Sequence, residues 1–135
     1  QNCATRHLMY SSLKNWLLRL IHSRPSEGFI LLGIDYPSHA LASAMQQRGL
    51  RVIAFIDEEP WNHRTQMLGA TVHYPIELAA LAQRHAVSKV IRFSNSSIEI
   101  PSEVLVQLRN LDVEVVAIDT QNLALEAQMS RVLGA

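Results

Sequence analysis

Seven residues on three short segments have the types and spacing to bind a nucleotide. Gly33, Tyr36, Ser38 and His39 lie on a turn after an apolar run, Asp57 follows a second run, and Ser94 and Asn95 open a polar turn after a later one. A glycine at such a turn lets backbone N–H groups approach a pyrophosphate, and the helix behind it turns its positive end to the same point. Ser38 and His39 add side-chain donors. Asp57 stands 24 residues after Gly33, close to the spacing at which an acidic residue holds an adenine ribose. Its carboxylate suits a 2′-hydroxyl and repels a 2′-phosphate, so NAD is expected over NADP. Ser94 and Asn95 are small polar partners for phosphate, ribose or sugar.

Each segment also has a plainer reading. Only the first glycine of a phosphate-binding turn is present, and Asp35 adds a negative charge that costs a nearby phosphate on the order of 1 kcal/mol. The turn could therefore keep its fold without a ligand. Asp57, Glu58 and Glu59 form a charge run of the kind that faces water. Ser94–Ser97 is equally an ordinary turn, because these residue types bond their own backbone.

Other chemistries find less support. The six histidines, His7, His22, His39, His63, His73 and His85, include no close pair at ligand spacing, and the single cysteine is Cys3. No metal site is expected on that pattern. Neither a Gly-x-Ser-x-Gly nor a Walker-type loop occurs. Tyr10 and Lys14 have a spacing that some dehydrogenases use for proton transfer, but they precede the first strand. No catalytic residue is assigned, and the chain is not expected to be an enzyme by itself.

The elements that must position these residues alternate between strand and helix. Phe29–Leu32, Val52–Ile56, Gly69–Tyr74, Lys89–Phe93 and Val113–Ile118 read as strands, the first a continuous apolar run of the kind buried on both faces. Helices are expected at 37–48, 75–85, 101–111 and 122–129. Trp61–Leu68 reads as a polar connection without a period. Alternation of this kind predicts an α/β three-layer domain around a five-stranded parallel sheet of order 3-2-1-4-5, with ligands at the carboxyl ends of strands one and four.

At 135 residues and zero net charge, the chain suits one domain and gives no charge-based case for a nucleic-acid partner. Charge is uneven, however: residues 1–24 hold Arg6, Lys14, Arg19 and Arg24 and no acid. Leu8, Met9, Leu13, Trp16, Leu17, Leu20 and Ile21 recur there at helical spacing, so an extra N-terminal amphipathic helix is expected over 5–23. It would pack on the domain, on a second copy to form a homodimer, or on a membrane surface. The division is 1–27 for this helix and its linker and 28–135 for the nucleotide-binding domain.

Residues 28–119 resemble the first Rossmann-type domain of membrane-associated nucleoside-diphosphate-sugar epimerases and dehydratases of bacterial polysaccharide biosynthesis. The likeness rests on Arg51-Val-Ile-Ala-Phe-Ile-Asp-Glu-Glu-Pro60, on Leu68-Gly-Ala-Thr-Val-His73, on Val87–Phe93 and on the polar turn Ser94–Ser97. It implies a Rossmann-like fold, a bound nucleotide or nucleotide-sugar, and a cytoplasmic setting beside a membrane. It also implies that epimerase or dehydratase chemistry belongs to a second domain. The leading expectation is thus a non-catalytic domain that binds NAD or a nucleotide-sugar. The alternatives are a ligand-free interaction module that dimerises through residues 5–23, and a small NAD-dependent oxidoreductase.

Overall fold

A computed structural model describes residues 27–134. The helix expected over 5–23, with Cys3, Tyr10 and Lys14, lies outside the described residues, as does the dimer expected through it. Strands β1 (Gly28–Leu32), β2 (Arg51–Ile56), β3 (Gln66–Met67), β4 (Ala70–His73), β5 (Val87–Phe93) and β6 (Glu114–Ile118) alternate with helices α1 (Tyr36–Gln47), α2 (Leu78–Arg84), α3 (Ser102–Asn110) and α4 (Leu125–Leu133). Among the described residues, no helix is long and apolar enough to cross a membrane.

The sheet runs β3-β4-β2-β1-β5-β6. Its five longer strands are parallel and follow the expected order, but the sheet is mixed and six-stranded. The additional strand is β3, antiparallel to β4 at the edge. It corrects both the five-strand count and the reading of Trp61–Leu68 as a plain connection. Two residues are too few to show a period of two, so β3 leaves no pattern to read. The turn that makes it is visible in the backbone: Leu68 (φ +54°) and Gly69 (φ +80°) are both left-handed, as a two-residue hairpin requires. Gln46 holds this turn, its side-chain amide donating to the Leu68 carbonyl at 2.9 Å.

Two apolar clusters flank the sheet. Phe29, Leu31, Phe55, Ile91 and Phe93 pack with Leu41 and Met45 of α1 and Met129 and Val132 of α4. Ile30, Leu32, Ala54, Ile56 and Val90 point the other way, to Leu78 and Leu81 of α2 and Val104 and Leu108 of α3. Successive residues of β1 thus serve opposite cores, and all five are buried, which is why the strand reads as an unbroken apolar run. The expected helix over 75–85 is two pieces, a 3-10 turn at Pro75–Glu77 and then α2.

Candidate functional site

Gly33 ends β1 with φ +106°, and its N–H donates to the Ile56 carbonyl at 2.7 Å. That bond ties the ends of β1 and β2 together, so Gly33 and Asp57 share the carboxyl edge of the sheet. The chain then turns into α1, with extended Asp35 as its N-cap and a proline in the first turn. The Asp35 side chain makes no cap hydrogen bond, although its carbonyl accepts from His39 N–H at 3.0 Å. The first-turn N–H groups of Tyr36 and Ser38 are therefore left without an intrahelical acceptor, as at any helix start.

A cleft of about 70 Å³ lies against this turn, lined by Leu32, Gly33, Asp35, Pro37, Ser38, Phe93, Asn95, Ser96 and Thr120. Ser38 is 1% exposed, and its Oγ is buried without a hydrogen-bond partner. An orphaned buried hydroxyl is costly, so it marks a place where a further group would be favourable. A wider groove of about 260 Å³ adjoins the cleft through Pro37 and Thr120 and is lined also by Tyr36, Ala40, Leu125 and Gln128.

The seven expected residues divide accordingly. Gly33, Ser38 and Asn95 line the cleft, and Tyr36, 81% exposed, lines the groove beside it. His39 is exposed and lines neither. Ser94 also stands apart, because its hydroxyl donates to the Ile118 carbonyl at 3.1 Å and its N–H to the same oxygen at 2.9 Å. It thereby fastens β5 to β6. Asp57 uses one oxygen locally: Oδ2 accepts from the Asn62 side chain at 2.8 Å and from Glu59 N–H at 3.3 Å.

Thr120 is the cleft residue that the sequence reading missed. Its loop is shaped by Asp119, which accepts from Gln121 N–H, Asn122 N–H and the Asn122 side chain. The Asn122 side-chain bond, with help from Gln121 N–H, holds the Asp119 carboxyl below its ordinary range. An Asp three residues before an Asn after a strand was the available signal, though such turns are common.

The histidines also assemble where spacing suggested they would not. His63 Nε2 meets Glu77 Oε2 at 2.8 Å, and His73 Nδ1 meets Glu77 Oε1 at 3.0 Å. Glu77 Oε2 also accepts Tyr74 N–H at 2.7 Å. Partial burial pushes the Glu77 carboxyl up, but the Tyr74 N–H and the two imidazoles outweigh it and hold the group down at about 2.

No protein-family model and no curated protein matches the sequence. Solved structures do resemble it. A UDP-D-quinovosamine 4-dehydrogenase from Vibrio fischeri is 28% identical with a TM-score of 0.58, over 72% of this chain and 82% of that one. RSP, a Rex-family repressor, is 12% identical with a TM-score of 0.56, over 92% of this chain and 67% of that one. RSP in complex with β-NADH matches at 12% identity and a TM-score of 0.55, over 73% of this chain and 48% of that one. With its parallel core, its three layers and these neighbours, the chain has a Rossmann-like α/β fold.

Proposed function

We propose that this domain binds a nucleotide that carries a diphosphate, NAD or a nucleotide-sugar, with phosphate at the N-terminus of α1. The observation that carries the reading is the partnerless Ser38 Oγ, buried beside the cleft in the first turn of that helix. A phosphate oxygen there would accept from Ser38 Oγ and from the unused first-turn N–H groups, with the helix dipole adding to the attraction. Asn95, Ser96 and Thr120 supply further polar atoms on the facing wall. The cleft suits a phosphate group rather than a whole dinucleotide, since ligand pockets usually span ~300–1,000 Å³. The rest of the ligand would occupy the groove beside Tyr36 and the sheet edge toward Asp57, whose Oδ1 faces a ribose hydroxyl in this reading. The UDP-sugar dehydrogenase among its structural neighbours supports the nucleotide-sugar form, as does the resemblance to nucleotide-sugar epimerases and dehydratases. Catalysis would then belong to a further domain or partner in a membrane-adjacent cytoplasmic assembly.

Thermal shift of the purified chain against NAD, NADP and UDP-sugars tests the proposal, because a ligand of the native state raises the melting temperature by mass action. NAD or a UDP-sugar should raise it, and Asp57→Ala and Ser38→Ala should each weaken that ligand by about tenfold, near the worth of one charged or buried hydrogen bond. No shift with any of these compounds, or equal shifts in both variants, would remove the site.

A further inference from the structure

We infer that His63, His73 and Glu77 form a three-ligand site for a zinc-type divalent cation. Their ligating atoms, two imidazole nitrogens and a carboxylate oxygen, all lie within 4.8 Å of one another. Ligands of a tetrahedral zinc ion sit about 3.3 Å apart, given bonds of about 2.0–2.1 Å. His63 Nε2 and His73 Nδ1 lie 2.8 Å and 3.0 Å from different oxygens of Glu77, so small side-chain movements bring the two nitrogens and one carboxylate oxygen to that spacing. Two imidazoles and one carboxylate is also a donor set that zinc uses.

The scaffold holds these groups from three directions. His73 ends β4, His63 follows the 3-10 turn Pro60–Asn62, and Glu77 closes the 3-10 turn Pro75–Glu77. The His63 ring stacks on Tyr74, with centroids 3.9 Å apart and planes 7° from parallel. It meets His73 nearly edge-on, at 81°. Tyr74 N–H fixes the Glu77 carboxylate. Such outer contacts orient metal ligands before the metal arrives. Because a carboxylate only accepts, His63 Nε2 and His73 Nδ1 carry their protons in this arrangement. Metal uptake would move each proton to the other ring nitrogen or to solvent, and the cation would take the centre of the hydrogen-bonded cluster.

The side chains of His63, His73 and Glu77 are 23%, 14% and 29% exposed. Three protein ligands in a partly open setting leave a fourth position for water or an anionic group. The site stands at the carboxyl edge of the sheet, where Asp57 N–H donates to the His73 carbonyl at 3.0 Å. It does not depend on the nucleotide reading, since the two sites share no residue.

The test is titration of the full chain with Zn²⁺ against a chromophoric chelator, repeated with Co²⁺ for its visible spectrum. One saturable equivalent is expected, weakened at least ~10-fold in His63→Ala and in Glu77→Gln and unchanged in His85→Ala. Nitrogen-15 spectra of the unsubstituted chain give a readout that no folding defect can confuse. Zinc should shift His63 Nε2 and His73 Nδ1, and not the ring nitrogens of His7 or His22. Absence of saturable binding, full affinity in His63→Ala, or uptake that leaves those two nitrogens unmoved would overturn the inference.

Discussion

Ser38 shows what a single buried hydroxyl can reveal. In a core position without a partner, the oxygen has left water and gained nothing. Ser38→Ala should therefore stabilise the ligand-free domain by about 1 kcal/mol, from the lost desolvation cost and the better helix propensity of alanine. A urea melt of the two proteins checks this; an unchanged or lower midpoint would mean that the hydroxyl is already bonded. The same variant should lose ligand, and opposite signs for stability and binding are what a functional polar group produces. From the sequence, Ser38 was one donor among several on a turn. His39, its neighbour, looked as suitable, but one turns inward and the other to solvent. That choice depends on helix phase relative to the sheet, which a single turn of sequence does not reveal.

At the scale of elements, the two glycines that bound β1 act for different reasons. An added Cβ at Gly28 would lie 2.5 Å from Ile53 Cγ1 and 3.1 Å from the Ala86 carbonyl. Gly33 has room, its nearest neighbour being Ile98 Cδ1 at 4.0 Å, but its φ is +106°. Gly28→Ala should thus cost ~2–3 kcal/mol through overpacking, and Gly33→Ala ~1–2 kcal/mol through backbone strain alone. Denaturant midpoints of both variants test the ranking; equal or reversed losses would refute it. Gly33 was legible as a turn glycine because it follows an apolar run and precedes a helix. Gly28 carried no such signal, since the crowding comes from Ile53 and Ala86, both distant in the chain. The five long strands were equally plain, whereas β3 owes its existence to β4 and to the turn at Leu68 and Gly69.

For the molecule as a whole, the cluster around Glu77 links loop closure to pH. The folded carboxyl sits at about 2 against an ordinary 4.5. A depressed folded value means that its stabilisation is complete above the unfolded value and is lost as pH falls toward the folded one. Glu77→Gln should be less stable than the parent near neutrality by on the order of 2 kcal/mol, a loss set by one charge-assisted network. The gap should narrow as pH drops from 4.5 toward 2. Urea midpoints of both proteins across that range are the check, and a gap that stays constant would place the stabilisation elsewhere.

The sequence by itself determined the layered α/β fold, the order of the five parallel strands and the position of the glycine turn that leads into α1. These follow from local patterns: apolar runs of strand length, helical stripes between them, and glycine at the bends. Tertiary structure decided which polar groups meet. Ser94 is consumed by a strand junction, Thr120 is carried into the cleft, and His63 and His73 converge on Glu77. The two histidines lie ten residues apart, a distance with no meaning for ligation along a chain. Only the hairpin of β3 and β4, which doubles the segment back on itself, brings their rings to one carboxylate.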